Sequence, residues 1–173
     1  LEELNIPTVV KEFGHMRSGL VLVTGPTGSG KSTTLAALLD YINTNFARHI
    51  ITVEEPTEFV HRNKSSIITQ REVPIQTTTF ADGLRAALRE EDDIDLVGEM
   101  RDLESISLAL TAAETGRLVF GTLLDQQSRI VVMVTLGCDA HWCPFMEVFS
   151  IDVGTTIDQQ AENVEMVVPD CTI

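Results

Sequence analysis

The chain has 173 residues, with 12 Lys+Arg against 26 Asp+Glu, a formal net charge of −14 and a pI near 4.5. Its 43% hydrophobic content and mean hydropathy of +0.11 fit one globular domain, and no run of 18 apolar residues is present to span a bilayer as a helix. The acid excess argues against a nucleic-acid partner held through a broad basic face, yet it leaves room for a nucleotide, whose phosphates need only a local site.

No basic segment followed by an apolar one opens the chain, so no signal peptide is expected, and Leu at position 1 suggests a piece of a longer protein. Gly19 to Thr24 (GLVLVT) is a short continuous apolar run, which predicts a strand buried on both faces. Gly25-Pro26-Thr27-Gly28-Ser29-Gly30-Lys31-Ser32-Thr33 follows, and Leu35, Leu38, Leu39 and Ile42 then recur at helical spacing as far as Asn45. His49 to Val53 predicts a second strand and Ser66 to Thr69 a weaker third. Phe80, Leu84, Ala87 and Leu88 mark a helix in which Gly83 is expected to cost about 1 kcal/mol relative to Ala. Ile94 to Val97 is another strand; Asp102 then caps a helix running to Thr115 that Gly116 ends. Leu118 to Leu123 is a further buried strand, 130–136 is strand-like, 164–168 is a weaker candidate, and 137–154 shows no clean period. Strands alternating with helices predict an α/β fold with a mainly parallel sheet and helices on both faces.

Gly25-x4-Gly30-Lys31-Ser32 satisfies the phosphate-loop pattern G-x-x-x-x-G-K-[ST], and a strand and a helix flank it as the pattern requires. Glycines let successive backbone N–H groups converge on phosphate oxygens, and the helix adds its positive N-terminal end. Lys31 suits the β- and γ-phosphates, and the Ser32 hydroxyl suits Mg2+. Hydrolysis also needs carboxylates to order water and support the cation. Glu54-Glu55-Pro56-Thr57-Glu58 follows the second strand, and Glu99 follows Ile94 to Val97 and Gly98. Both lie at carboxyl ends of strands, where parallel sheets bind ligands. From spacing alone, any single acid of the first cluster is as readily a solvated surface group.

Gly25–Thr33 (GPTGSGKST), Ile51–His61 (ITVEEPTEFVH), Leu96–Asp102 (LVGEMRD) and Ala109–Thr122 (ALTAAETGRLVFGT) closely resemble the secretion and pilus motor ATPases, the pilus-retraction branch above all. His61–Ser65 and Gln70–Val73 resemble it too, and the resemblance spans about residues 5–123. It implies a RecA-like P-loop core that binds ATP with Mg2+ and hydrolyses it. It also implies a homo-oligomer, hexameric in the family, which is cytoplasmic and peripheral to the inner-membrane platform of a pilus or secretion machine. Gly25–Thr33 would be Walker A and Gly98-Glu99 an atypical Walker B. Glu99 and Glu54 would organise the cation and the attacking water, with Glu58 in support, and Ser32 and Glu54 would hold Mg2+, directly or through water.

This sequence departs from the family pattern in four places. Glu55 replaces an Asp and lengthens the arm. Asp95 replaces an Ile inside a strand that should be buried, where an unpaired carboxylate tends to take up a proton or distort the strand. Asp95 and Glu99 lie about 13 Å apart at ~3.3 Å per residue, too far to share one cation. Leu124-Asp125 stands where the family has His-Thr, removing a histidine that resembles a γ-phosphate sensor and adding a carboxylate that repels phosphate. Residues 124–173 match no family pattern. Two other readings therefore stand beside the motor ATPase: a nucleotide-binding module with little or no turnover, and a P-loop ATPase that translocates DNA.

Charge and cysteine set the same tail apart. Residues 1–123 carry 11 basic and 18 acidic residues, whereas 124–173 carry only Arg129 against eight acids. The expected organisation is an ATPase core over 1–123 and a divergent acidic segment over 124–173, within one domain. Cys138, Cys143 and Cys171 are odd in number and favour reduced thiols; Cys138, His141 and Cys143 lack the usual spacing of a zinc site.

Overall fold

The computed structural model describes residues 9–124, 130–136 and 145–151. In chain order the elements are α1 (Val9–Phe13), β1 (Gly19–Gly25), α2 (Lys31–Asn45), β2 (His49–Glu54), β3 (Ile67–Glu72), α3 (Phe80–Ala87), β4 (Ile94–Val97), α4 (Leu103–Glu114), β5 (Leu118–Leu124), β6 (Ile130–Leu136) and β7 (Phe145–Ile151). The sheet order is β3-β2-β4-β5-β1-β6-β7. The five strands from β3 to β1 are parallel, and β6 and β7 add antiparallel pairs beyond β1. This is the expected mainly parallel α/β architecture.

Strand alternation divides the core into two layers. Val21, Val23, Ile50, Ile94, Leu96, Leu118 and Phe120 face α2, which buries Leu35, Leu38, Leu39 and Ile42 against them. Leu20, Val53, Val97 and Val119 face the other way, onto Phe80 and Leu84 of α3 and Ala109 and Ala112 of α4. At about 1.5–3 kcal/mol per buried Leu, Ile or Phe side chain, these layers are the main force holding the sheet between its helices. Gly83 is the point of closest approach of α3 to the sheet. A Cβ there would lie 2.8 Å from Val53 Cγ1, so the glycine that weakens the helix allows it to dock.

The predicted N-cap is present: Asp102 accepts the Ser105 N–H at 2.7 Å, and its carboxyl is held below the usual range by that bond. Gly116 follows α4 with φ 99°. Three differences from the sequence reading have local causes. The short α1 has too few residues to show a period. The third strand runs on to Glu72 because β3 is an edge strand whose polar Gln70, Arg71 and Glu72 pair in full register with β2. Strand β7 lies inside the stretch without a period, where Glu147 interrupts the apolar run; its backbone pairing with β6 defines it. The candidate strand 164–168, Asp125, Cys138, His141, Cys143 and Cys171 lie outside the described residues. No helix among the described residues is long and apolar enough to cross a membrane.

Asp95 is buried, at 1% exposure, on the α3/α4 face of β4, near the strand's amino end. The strand is undistorted and the carboxyl takes the other route: burial and the neighbouring Asp92 push its pKa up to about 8. Asp92 is raised as well, by burial, and pairs with Arg117 (Nε to Oδ1, 3.0 Å). The Arg117 guanidinium also donates to the carbonyl of Glu90 at 2.7 Å, and Arg71 pairs with Glu90. Burial thus raises both carboxyls, and Arg117, paired with Asp92, opposes the rise at each.

Candidate functional site

The carboxyl ends of β1, β5, β4 and β2 stand level, because Leu22 pairs with Gly121, Gly121 with Val97, and Val97 with Val53. Everything that follows those four positions in sequence is therefore delivered to one rim. From β1 comes the glycine-rich loop, from β2 Glu54, from β4 Gly98 and Glu99, and from β5 Thr122 to Leu124. Gly98 sets the spacing between the two acidic strand ends. A Cβ on it would sit 3.2 Å from Glu54 Cα and 3.3 Å from Val53 O, so a side chain here would press the end of β4 away from the end of β2. Its N–H donates to Val53 O at 2.8 Å, and its carbonyl accepts the Thr122 hydroxyl.

The loop has the form the sequence predicts. Gly28 and Gly30 adopt φ 79° and 92°, conformations that L side chains rarely take. Gly30 is the N-cap of α2 and offers no side-chain cap, so the first helical N–H groups remain available to an anion. Thr34 N–H is the first to close an intrahelical bond, to Gly30 O at 2.8 Å. Lys31 Nζ donates to the Gly25 and Pro26 carbonyls at 2.9 Å each, which folds the cation back over the loop. The buried Ser29 hydroxyl has no hydrogen-bond partner among the described residues. Unclaimed N–H groups, a cation and an orphaned hydroxyl together fit a phosphate chain.

A cavity of about 200 Å3 opens beside the loop. Thr27, Gly28, Lys31 and Ser32 form one wall, and Glu54, Glu55, Glu58, Phe59 and His61 the other, with Gly98, Glu99, Thr122 and Leu124 around them. Gly30 and Thr33 line a second recess with Glu58. The predicted acids Glu54, Glu58 and Glu99 are thus gathered on the loop's cavity, together with Lys31 and Ser32. Gly25, Pro26 and Ser29 shape the loop from behind. Hydroxyl and carboxylate oxygens are the donors Mg2+ prefers, and it is commonly held by one or two protein groups together with phosphates. The Ser32 hydroxyl and the Glu54 carboxylate, both on this cavity, are oxygen donors of that kind.

Four side chains at the site were not singled out by the sequence reading: Arg101, Thr52, Gln70 and His61. Arg101 bridges the two acidic segments, with Nη2 2.6 Å from Glu99 Oε2 and Nη1 3.2 Å from Glu55 Oε2. The longer Glu55 therefore meets a partner across the rim. Glu54 Oε1 accepts from the Thr52 hydroxyl at 2.6 Å and from Gln70 Nε2 at 3.2 Å. His61 lines the cavity with its pKa lowered by burial, against the opposing pull of Glu54, so it stands neutral at neutral pH. Arg101 follows Glu99 by two residues and was legible as a neighbour, but the contacts of Gln70 and Thr52 depend on strand register.

Residues 6–150 match the family described as type II/IV secretion system protein. The type IV pilus retraction ATPase PilT of Pseudomonas aeruginosa is 63% identical over 123 residues, which are 71% of this chain and 36% of that protein. The twitching motility protein of Neisseria gonorrhoeae is 60% identical over 123 residues, 71% of this chain and 33% of that one. A crystal structure of the pilus retraction motor PilT with bound ADP superposes with a TM-score of 0.70 at 59% identity, covering 72% of this chain and 36% of that one. The chain thus spans about a third of the length of the curated relatives it matches.

Proposed function

The chain belongs to the type II/IV secretion system protein family, and from that premise we propose that it is the ATP-binding and ATP-hydrolysing core of a pilus or secretion motor. One observation carries the reading: a phosphate loop with unclaimed N–H groups faces Glu54, Glu58 and Glu99 across one cavity. Relatives named as ATPases support turnover over a silent nucleotide module, and the net charge of −14 weighs against a DNA translocase.

In this proposal the N–H groups at the start of α2 and Lys31 hold the phosphates, Lys31 exchanging the Gly25 and Pro26 carbonyls for phosphate oxygens. Ser32 and Glu54 hold Mg2+, which when bound neutralises charge on the phosphates. Glu99 accepts the proton of the attacking water, with Glu58 adding to the acidic wall. Phosphoryl transfer to water needs no covalent intermediate: positioning and charge stabilisation suffice. We further place the whole protein in a homo-oligomer, a hexamer by family, on the cytoplasmic side of an inner-membrane platform.

ATP binding and phosphate release, measured side by side on the chain and on Lys31→Ala, test the reading. Loss of charge-assisted bonds to phosphate should weaken ATP binding about 10- to 100-fold and abolish release. Release no faster than in Lys31→Ala would defeat the ATPase reading. Leu124, 60% exposed on the cavity rim, stands where the family has histidine. Leu124→His should raise turnover severalfold, as read by steady-state phosphate release; unchanged turnover would show that this position does not limit the reaction.

A further inference from the structure

Thr52 of β2 and Gln70 of β3 are register partners, and Glu54 lies two residues along β2 on the same sheet face. Thr52 and Gln70 both donate to Glu54 Oε1, at 2.6 and 3.2 Å, and among the described residues no group donates to Oε2. The second hydrogen of Gln70 Nε2 goes to the Phe59 carbonyl at 2.8 Å, and Gln70 Oε1 accepts the His61 N–H at 2.8 Å. The amide has only one workable orientation. Turned over, its oxygen would face a carboxylate and a carbonyl, and its NH2 would face an N–H. Phe59 and His61 are cavity wall, and so is Glu54, whereas Gln70 is not.

We propose that Gln70 is a positioning residue for the reaction: one amide fixes the Glu54 carboxylate and the 59–61 wall relative to each other, and so presents Oε2 to the cation or its water. This inference rests on the ATPase reading above. It explains why an edge strand outside the cavity carries a glutamine that spends both its amide hydrogens and its carbonyl oxygen on the rim. A glutamate here would repel Glu54, and an asparagine would be one methylene short of both contacts.

Gln70→Met keeps the length and removes the donors and the acceptor. The expected result is a kcat about tenfold lower with an unchanged KM for ATP, and a several-fold higher half-saturating Mg2+ concentration for ATP binding. Thr52→Val, which removes the other donor to the same oxygen, should shift both quantities in the same direction, and it decides the matter if Gln70→Met does not fold. In a Glu54→Gln background, Gln70→Met should cause no further loss, because it acts through Glu54. Parent-like kcat and Mg2+ response in Gln70→Met, or a full additional loss in the Glu54→Gln background, would overturn the proposal. If the parent chain releases phosphate no faster than Lys31→Ala, the ATPase reading fails on its own. The Mg2+ titration of ATP binding, which needs no turnover, then still decides: a shifted half-saturation in Gln70→Met supports positioning of Glu54, and an unshifted one refutes it.

Discussion

Glu99→Gln is expected to bind ATP within about twofold of the parent chain while hydrolysis falls by about 10²–10⁴, the usual contribution of a positioned general base. The amide keeps the size and hydrogen-bonding reach of the carboxylate but cannot take a proton from water. Binding survives because the phosphate contacts come from the glycine loop, Lys31 and Ser32, on the opposite wall. The Arg101 contact does not stand against this role. It joins side chains 58% and 30% exposed, and exposed ion pairs are worth about 0–1 kcal/mol, so a nucleotide and its cation readily displace it. Binding by fluorescent-nucleotide titration and turnover by phosphate release separate the two effects. Hydrolysis at the parent rate in Glu99→Gln would move the base to Glu54, the other acid on that rim.

Asp95→Ile is expected to stabilise the fold, and by more at pH 8 than at pH 5. Replacing a buried carboxyl that has no hydrogen-bond partner among the described residues with a packed apolar side chain removes a burial cost of about 1–3 kcal/mol, and Asp92 keeps Arg117. The pH dependence has a definite sign. The pKa of Asp95 is raised in the folded protein, from 3.8 to about 8. Its contribution to stability is therefore complete below its unfolded pKa and is lost as pH rises towards the folded value. Across that window the loss is at most about 1.4 kcal/mol per pH unit. The gap between parent and variant should widen accordingly from acid to mildly alkaline pH. Asp95→Asn, neutral at every pH and equal in shape, should remove the slope without the packing gain. Urea denaturation of the three proteins at pH 5 and pH 8 measures both. A gap that does not change with pH would mean that Asp95 stays ionised, held by Arg117 together with Asp92.

These two residues show unequal legibility. Glu99 could be read from its place after an apolar strand and a glycine, because in a parallel sheet the carboxyl end of a strand is where ligands meet. Asp95 could be read as a burial problem, since three apolar residues surround it in the strand. Its solution could not be read, because Arg71 comes from β3, Asp92 from the turn before β4 and Arg117 from the residue before β5, and they meet only once the strands are ordered.

The sequence by itself determined the phosphate loop, the strands of the parallel core, the two capped helix ends and the identity of the acids. Each is a local pattern of spacing, propensity and glycine placement within about ten residues. The tertiary structure decided which of those residues work together. Sheet order sets β4 between β2 and β5, which brings Glu54, Glu99 and Thr122 to one level. Register sets Thr52 against Gln70, and the approach at Gly98 sets the two acidic strand ends side by side. Order, register and approach are fixed by burying both faces of the sheet at once, a condition on the whole chain that no single stretch of sequence carries.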